Sequence, residues 1–133
     1  MVPDLPPRRR DDVACRGDIV PGRQRDYADY LRRVQPILDR YGARVLLYGL
    51  TKMVYMGPCT QEYCGLISYP DVGTLRRLSH DADFIRIRRL RDESTRNYVM
   101  TAIQGFASMA DAADYLENNH GDGPPAPLGP GPR

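Results

Sequence analysis

Three observations in the sequence predict an α+β fold in which a four-stranded antiparallel sheet carries both of its helices on one face. Four short segments alternate apolar and polar residues, as half-buried strands do. Two longer regions repeat apolar residues every three or four positions, as amphipathic helices do. The order is strand, helix, strand, strand, helix, strand, with Gly or Pro at most of the junctions. A split pair of βαβ units in that order forms a ferredoxin-like sandwich.

The elements follow in turn. Residues 1–11, with Pro3, Pro6, Pro7 and the run Arg8 to Arg10, offer nothing to pack and predict a disordered arm. Val13 to Val20 places Val13, Cys15, Gly17 and Ile19 on one side and Ala14, Arg16, Asp18 and Val20 on the other, a strand stopped by Pro21-Gly22. From Gln24 to Tyr41 the apolar residues Tyr27, Leu31, Val34, Leu38 and Tyr41 predict a helix, and Gly42 sits where a left-handed cap is wanted. Arg44 to Met56 predicts a long strand bent near Gly49, with Arg44, Leu46 and Tyr48 on one side. A turn at Gly57-Pro58 leads to a third strand, Glu62 to Tyr69, ended by Pro70.

Asp71 is placed to cap a helix carrying Val72, Leu75 and Leu78. His80 to Asp83 breaks it, and Asp81 caps a further stretch through Phe84, Ile87 and Leu90, although Ile85 to Arg88 also alternates like a strand. Asn97 to Gln104 is the fourth strand, and Ser108 caps a short helix to about Asn118. The organisation expected is an arm at 1–11, one domain at 12–107, a helix at 108–119 and a disordered Pro/Gly tail at 120–133. Because the helices cover one face of the sheet, the other meets water unless a second copy covers it. Arg16 and Asp18 there are able to pair across a two-fold axis, so a homodimer through the sheet is expected.

Composition excludes several functions. The chain has 133 residues, 41% of them hydrophobic and 27% charged, and a net charge of +2, which is too small to imply a nucleic-acid partner. The apolar run Val45 to Tyr48 is far short of the ~20 residues that cross a bilayer. No apolar segment follows the N-terminal arginines, so no signal peptide is expected. Cys15, Cys59 and Cys64 are an odd number, which argues for reduced thiols in a cytoplasm and against a disulfide scaffold. No phosphate-cradling glycine loop is present.

Tyr27-Ala-Asp-Tyr30, Pro36, Tyr41-Gly42-Ala43-Arg44 and the strand that follows resemble a family of short bacterial proteins known as a domain of unknown function, within the dimeric α/β-barrel superfamily. That family's pattern has Tyr-x-x-Tyr, Tyr-Gly-Gly-Arg, an aromatic-Pro pair ending the third strand, a Ser-Pro-Glu-Tyr segment and a downstream Arg-Asp. Tyr69-Pro70 and Arg91-Asp92 match, Asp81-Ala82-Asp83-Phe84 matches loosely, and Ala43 replaces the second glycine. The resemblance spans about residues 13 to 105. It implies two protomers joined sheet to sheet, and a small hydrophobic pocket between sheet and helices. Relatives in the superfamily include polyketide cyclases, cofactor-free monooxygenases, lactone isomerases and haem-degrading enzymes, some with a working histidine on the second helix. The shared fold does not choose among these chemistries.

The candidate chemistry centres on His80, the one histidine inside the expected domain, whose imidazole titrates near neutrality and suits general acid or base work. The plainer alternative is a surface histidine beside Asp81 or Asp83. Among nine tyrosines, Tyr48, Tyr55, Tyr63, Tyr69 and Tyr98 lie on expected strands, where a phenol can line a pocket and bond an enol or quinone oxygen. Tyrosines are equally common at half-buried sheet positions and dimer interfaces. Arg44 or Arg16 can hold a substrate anion, or serve an interface. Arg91 with Asp92 is read as a helix-terminal pair, and the remaining arginines near it as a solvated mixed face. Cys59, Cys64, His80 and His120 do not form the two tight ligand pairs of a structural zinc site.

The expected catalytic set is therefore His80, Tyr48 and Asp83, and the expected substrate-binding set is Arg44, Tyr55, Arg16 and Tyr98. The function expected is that of a tailoring enzyme without a bound cofactor or metal. It would perform acid/base cyclisation, isomerisation or dehydration on a small hydrophobic aromatic or polyketide-like molecule, with an acidic carrier protein as a further expected partner. A non-catalytic homodimer that binds a small molecule or a partner enzyme is the alternative, and a cofactor-independent monooxygenase is a third.

Overall fold

The computed structural model describes residues 10–59 and 61–118. Its elements are β1 (Asp11–Ile19), α1 (Gln24–Arg40), β2 (Arg44–Leu50), β3 (Tyr63–Tyr69), α2 (Thr74–Ser79), α3 (Ala82–Ser94), β4 (Thr95–Ile103) and α4 (Met109–Asn118). The strands form one sheet in the order β2-β3-β1-β4 with every neighbouring pair antiparallel, which is the ferredoxin-like topology expected. Residues 104–118 belong to a separate unit, in which the Ser108 hydroxyl accepts from the Asp111 amide and Phe106 packs on Tyr115 at 5.3 Å. No helix among the described residues is long and apolar enough to cross a membrane. β1 begins at Asp11, inside the stretch read as an arm; the rest of the two arms, 1–9 and 119–133, lies outside the described residues.

The core forms where the helix stripe meets one face of the sheet. Tyr27, Tyr30, Val34, Ile37 and Leu38 of α1 recur at helical spacing and are all buried. Facing them are Val13 and Cys15 of β1 and Tyr63 and Tyr69 of β3, with Phe84 and Ile87 supplied by α3. Burial of each large side chain contributes roughly 1.5–3 kcal/mol, so this cluster accounts for most of what holds helices to sheet. Gly42 ends α1 with φ of 72°, a left-handed conformation that a side chain resists.

The second helical region divides at His80, as the sequence indicates. Asp81 caps α3 by accepting from the Asp83 and Phe84 amides at 2.9 and 3.2 Å. Its second oxygen accepts from Arg40 and from the Tyr41 hydroxyl at 2.7 and 2.8 Å, so one carboxylate ties the end of α1 to the start of α3. Asp71 lies two residues before the cap, which is Gly73: its carboxylate accepts from the Gly73 amide and the Thr74 hydroxyl, and α2 starts only at Thr74. The alternation of Ile85 to Arg88 is overridden, because Phe84 and Ile87 share the helix face that packs into the core.

Two expectations about the sheet are corrected. The second strand ends at Leu50, well before Met56, after the Thr51 amide and hydroxyl bond Glu62 and Gln61 and close the ladder. Its irregularity lies between Val45 and Leu47, and Gly49 stays in register opposite Cys64. The extra residue, Leu46, shifts the phase of the strand, so Arg44 does not share a side with Tyr48. Asp18 does not wait for a second protomer. It is 6% exposed, beside a shift in the β1–β4 register that puts an extra residue into β4 next to Asn97. It accepts from the Glu62 amide at 3.0 Å and the Asn97 amide group at 2.8 Å.

Candidate functional site

A cavity of about 230 Å³ lies between the sheet and α1 and α3. Two of its walls come from tyrosines brought together by different means. Tyr27 and Tyr30 lie three residues apart on α1 and therefore point the same way, with ring centroids 6.1 Å apart. Tyr48 and Tyr63 rise from β2 and β3 onto the same face of the sheet, with centroids 6.2 Å apart. Tyr63 also meets Tyr27 at 5.0 Å, and the Tyr27 and Tyr48 hydroxyls share a hydrogen bond of 2.5 Å. Tyr69 and Tyr98 complete the set of phenols in the lining.

Glycines make room for these rings. A Cβ at Gly65 would meet the Tyr48 ring at 2.9 Å, and one at Gly17 would meet the Tyr63 hydroxyl at 2.5 Å. The Tyr63 hydroxyl is buried against Gly17 without a hydrogen-bond partner among the described residues.

The electrostatics of the cavity are those of neutral donors around one cation. Burial pushes the phenols of Tyr48, Tyr63, Tyr69 and Tyr98 upward, and Tyr27 is raised by burial and then by its bond with Tyr48. Tyr30 is pushed up to about 12 by burial. All six are therefore protonated at neutral pH and act as hydrogen-bond donors, not as bases. The Cys15 thiol, also in the lining, is raised by burial and stays a thiol. Arg91 is the one charged side chain among the described lining residues, with 16% of its side chain exposed. Its guanidinium lies 4.9 Å from the Tyr98 ring centroid and 5.7 Å from that of Phe84.

Of the residues expected at a site, Tyr48 and Tyr98 meet in this cavity, as do Tyr63 and Tyr69. The others do not join them. His80 is exposed at the C-terminal cap of α2 and does not line the cavity. Asp83 occupies the first turn of α3 and pairs with Arg40 and Arg86 at 3.2 and 3.5 Å on the surface. Tyr55 is 93% exposed in the segment after β2, because that strand stops five residues before it. Arg44 is exposed and off the cavity face for the phase reason given above, and Arg16 is exposed on the sheet face without helices, between Cys64 and Val99. Residues outside the expected set are Tyr27 and Tyr30, whose Tyr-x-x-Tyr spacing marks them in the sequence, and Arg91, whose neighbour Asp92 predicts only a terminal ion pair. The pair with Asp92 exists at 3.1 Å, but the guanidinium also faces inward.

Comparison with known proteins agrees with this architecture. Residues 20–106 match the family described as a domain of unknown function, DUF1330. No curated protein matches the sequence. Among solved structures, RPA0582 of Rhodopseudomonas palustris, a protein of unknown function, superposes with a TM-score of 0.63 at 16% identity, over 75% of this chain and 86% of that one. A dimeric ferredoxin-like protein of unknown function from Jannaschia sp. gives 0.61 at 10% identity, over 73% and 100% of the two chains. SnoaB of Streptomyces nogalater, a cofactor-independent oxygenase, gives 0.57 at 9% identity, over 75% and 96%. At these identities the likeness is one of fold.

Proposed function

This chain belongs to the DUF1330 family, and from that premise we propose that it is a small tailoring enzyme whose cavity binds a one- or two-ring aromatic molecule and promotes enolisation without a bound cofactor. The observation that carries the reading is the phenol-lined cavity between sheet and helices. Its volume of about 230 Å³ exceeds the ~150 Å³ that suffices for benzene and falls below the ~300 Å³ from which drug-sized pockets start. A ligand larger than two rings has no room.

The chemistry assigned to the residues is hydrogen bonding to a carbonyl oxygen. Tyr48, held by its bond to Tyr27, donates to that oxygen and stabilises the enol as it forms. Enolisation begins cyclisations, isomerisations and dehydrations alike, so one donor pair serves the whole reaction class expected. The abstracted proton leaves to water or to a basic group of the substrate, since no carboxylate or imidazole lines the cavity among the described residues. That same feature favours the second reading, a binding protein that performs no chemistry.

In both readings the chain works as a homodimer through the helix-free face of the sheet. The apolar residues Leu47, Val99 and Ile103, 64%, 42% and 44% exposed, support this, as does the dimeric relative of the same fold. The free thiols Cys15, Cys59 and Cys64 support a reducing compartment such as the cytoplasm.

The test is deuterium exchange. A panel of aromatic ketones is incubated with the protein in D₂O, and exchange at the carbon next to the carbonyl is followed by NMR. The enzyme reading expects accelerated exchange for a ligand that binds, reduced at least about tenfold in Tyr48→Phe. Ligands that bind with no acceleration would leave the binding-protein reading in its place.

A further inference from the structure

Arg91 is an unusual group to find beside six neutral phenols, and its surroundings say what it is suited to hold. A guanidinium withdrawn from water is costly unless its donors and its charge are met. Asp92 meets them in part: a single oxygen, Oδ1, accepts from both Nε and Nη2, at 3.2 and 3.1 Å, and that carboxylate is half exposed. The Nη1 donors are not used by Asp92. The flat faces of Tyr98 and Phe84 lie close to the guanidinium, and the Tyr30 hydroxyl is within hydrogen-bonding reach of it, so a ligand oxygen would meet the guanidinium edge beside Tyr30. The titratable groups acting on Arg91 are Tyr30, Tyr98, Tyr69, Cys15 and Asp92, with Asp92 the only carboxylate.

Tyr30 already reports what this cation does to a neighbouring phenol. Burial drives the Tyr30 phenol upward, and the charge of Arg91 is the largest influence pulling it back toward ionisation. A ligand phenol or enol in the cavity, free to approach the guanidinium edge, would feel the same pull.

We propose that the cavity selects a planar ring carrying one anionic oxygen, a phenolate or an enolate, with Arg91 as the residue that anchors that oxygen. This rests on the cavity being the binding site, and it adds the charge state of the ligand and the residue that reads it. It also assigns the anion-holding role, expected of Arg44 or Arg16, to the last turn of α3. The size of the cavity and the single cation together exclude dianions and long acyl chains from tight binding.

The probe is 4-nitrophenol, whose anion absorbs visible light, with 4-nitroanisole as its neutral counterpart of similar shape. The protein is expected to bind the phenolate at least about tenfold more tightly than the phenol, which by linkage lowers the pKa of the bound probe by about one unit. Arg91→Gln is expected to abolish that shift and leave nitroanisole binding in place, and Arg91→Lys to retain part of it. Asp92→Asn removes the competing anion from an exposed position, so it leaves the packing intact and is expected to widen the shift.

A bound probe whose pKa is unchanged or raised overturns the proposal. So does an Arg91→Gln protein, folded by circular dichroism, that keeps the full shift, or an Asp92→Asn protein with a narrower one. Nitroanisole bound as tightly as nitrophenolate overturns the anion selectivity alone. Failure of both probes to bind overturns the cavity reading beneath it.

Discussion

The two faces of this sheet are built from the same strands and end in opposite conditions. On the helix side, Val13, Tyr63 and Tyr69 are 1–3% exposed and are closed in by α1 and α3. On the other side, Leu47, Val99 and Ile103 remain 42–64% exposed, beside Arg16. Alternation along a strand makes both faces at once, so a substitution at one position changes one face and leaves the other as it was. The helix side has been filled with rings, the open side with small clusters of aliphatics. In the proposed reading, ligand chemistry and self-association fall one to each face and are separable.

That separation can be tested by breaking one side at a time. The largest effect is expected on the helix side: Phe84→Ala, which empties a site 5% exposed, should cost about 3–5 kcal/mol in urea unfolding. Gly17→Ala should cost about 1–3 kcal/mol by pressing a methyl group on the Tyr63 hydroxyl. Adding Tyr63→Phe to that variant removes the atom in the way and a hydroxyl with no partner, so part of the loss should return. On the open side, Leu47→Asp should change unfolding of the protomer by no more than about 0.5 kcal/mol. It should instead convert a dimer to a monomer in sedimentation; an unchanged dimer would place the interface elsewhere.

A smaller effect joins the helices to pH. The Asp81 carboxyl lies below the usual carboxylate range, first because the Tyr41 hydroxyl bonds it, with the α3 amides and Arg40 adding to this. A carboxyl depressed in the folded state stabilises fully above its unfolded value, near ~4, and loses that contribution as pH falls through the lower folded value. Asp81→Asn should therefore melt lower than the parent at neutral pH and show a shallower fall as pH drops below about 4. The smallest expected effect is that of His80→Ala. With the imidazole exposed at the end of α2, exchange activity should persist, and its loss would return the catalytic role to His80.

The fold was largely legible because its signals are local. The stripe on α1, the glycine after it and the Asp81 cap each act within a few residues; the glycine and the cap formed as expected, and the stripe did so with Tyr30 and Ile37 added and Leu31 and Tyr41 only partly buried. The site was legible only in part, because its composition depends on register. One inserted residue at Leu46 decides that Val45 and Tyr48 face the cavity and Arg44 does not, and no local pattern marks it. Tyr55 falls outside the sheet because the apolar segment continues past Leu50, where its strand ends. Arg91 is masked in the sequence for a different reason. Its exposed neighbour Asp92 explained it well enough from sequence, while the inward-facing edge of the guanidinium needs Tyr98 and Phe84 in place to be seen.

The gathering of tyrosines has a practical corollary. The chain contains nine tyrosines and no tryptophan, and six of the nine line the cavity. Ultraviolet emission from this protein is therefore mostly light from the cavity wall, undimmed by transfer to an indole. Occupancy by an absorbing ring should quench it directly, so the molecule carries its own optical gauge, and a library of candidate ligands can be ranked on unlabelled protein.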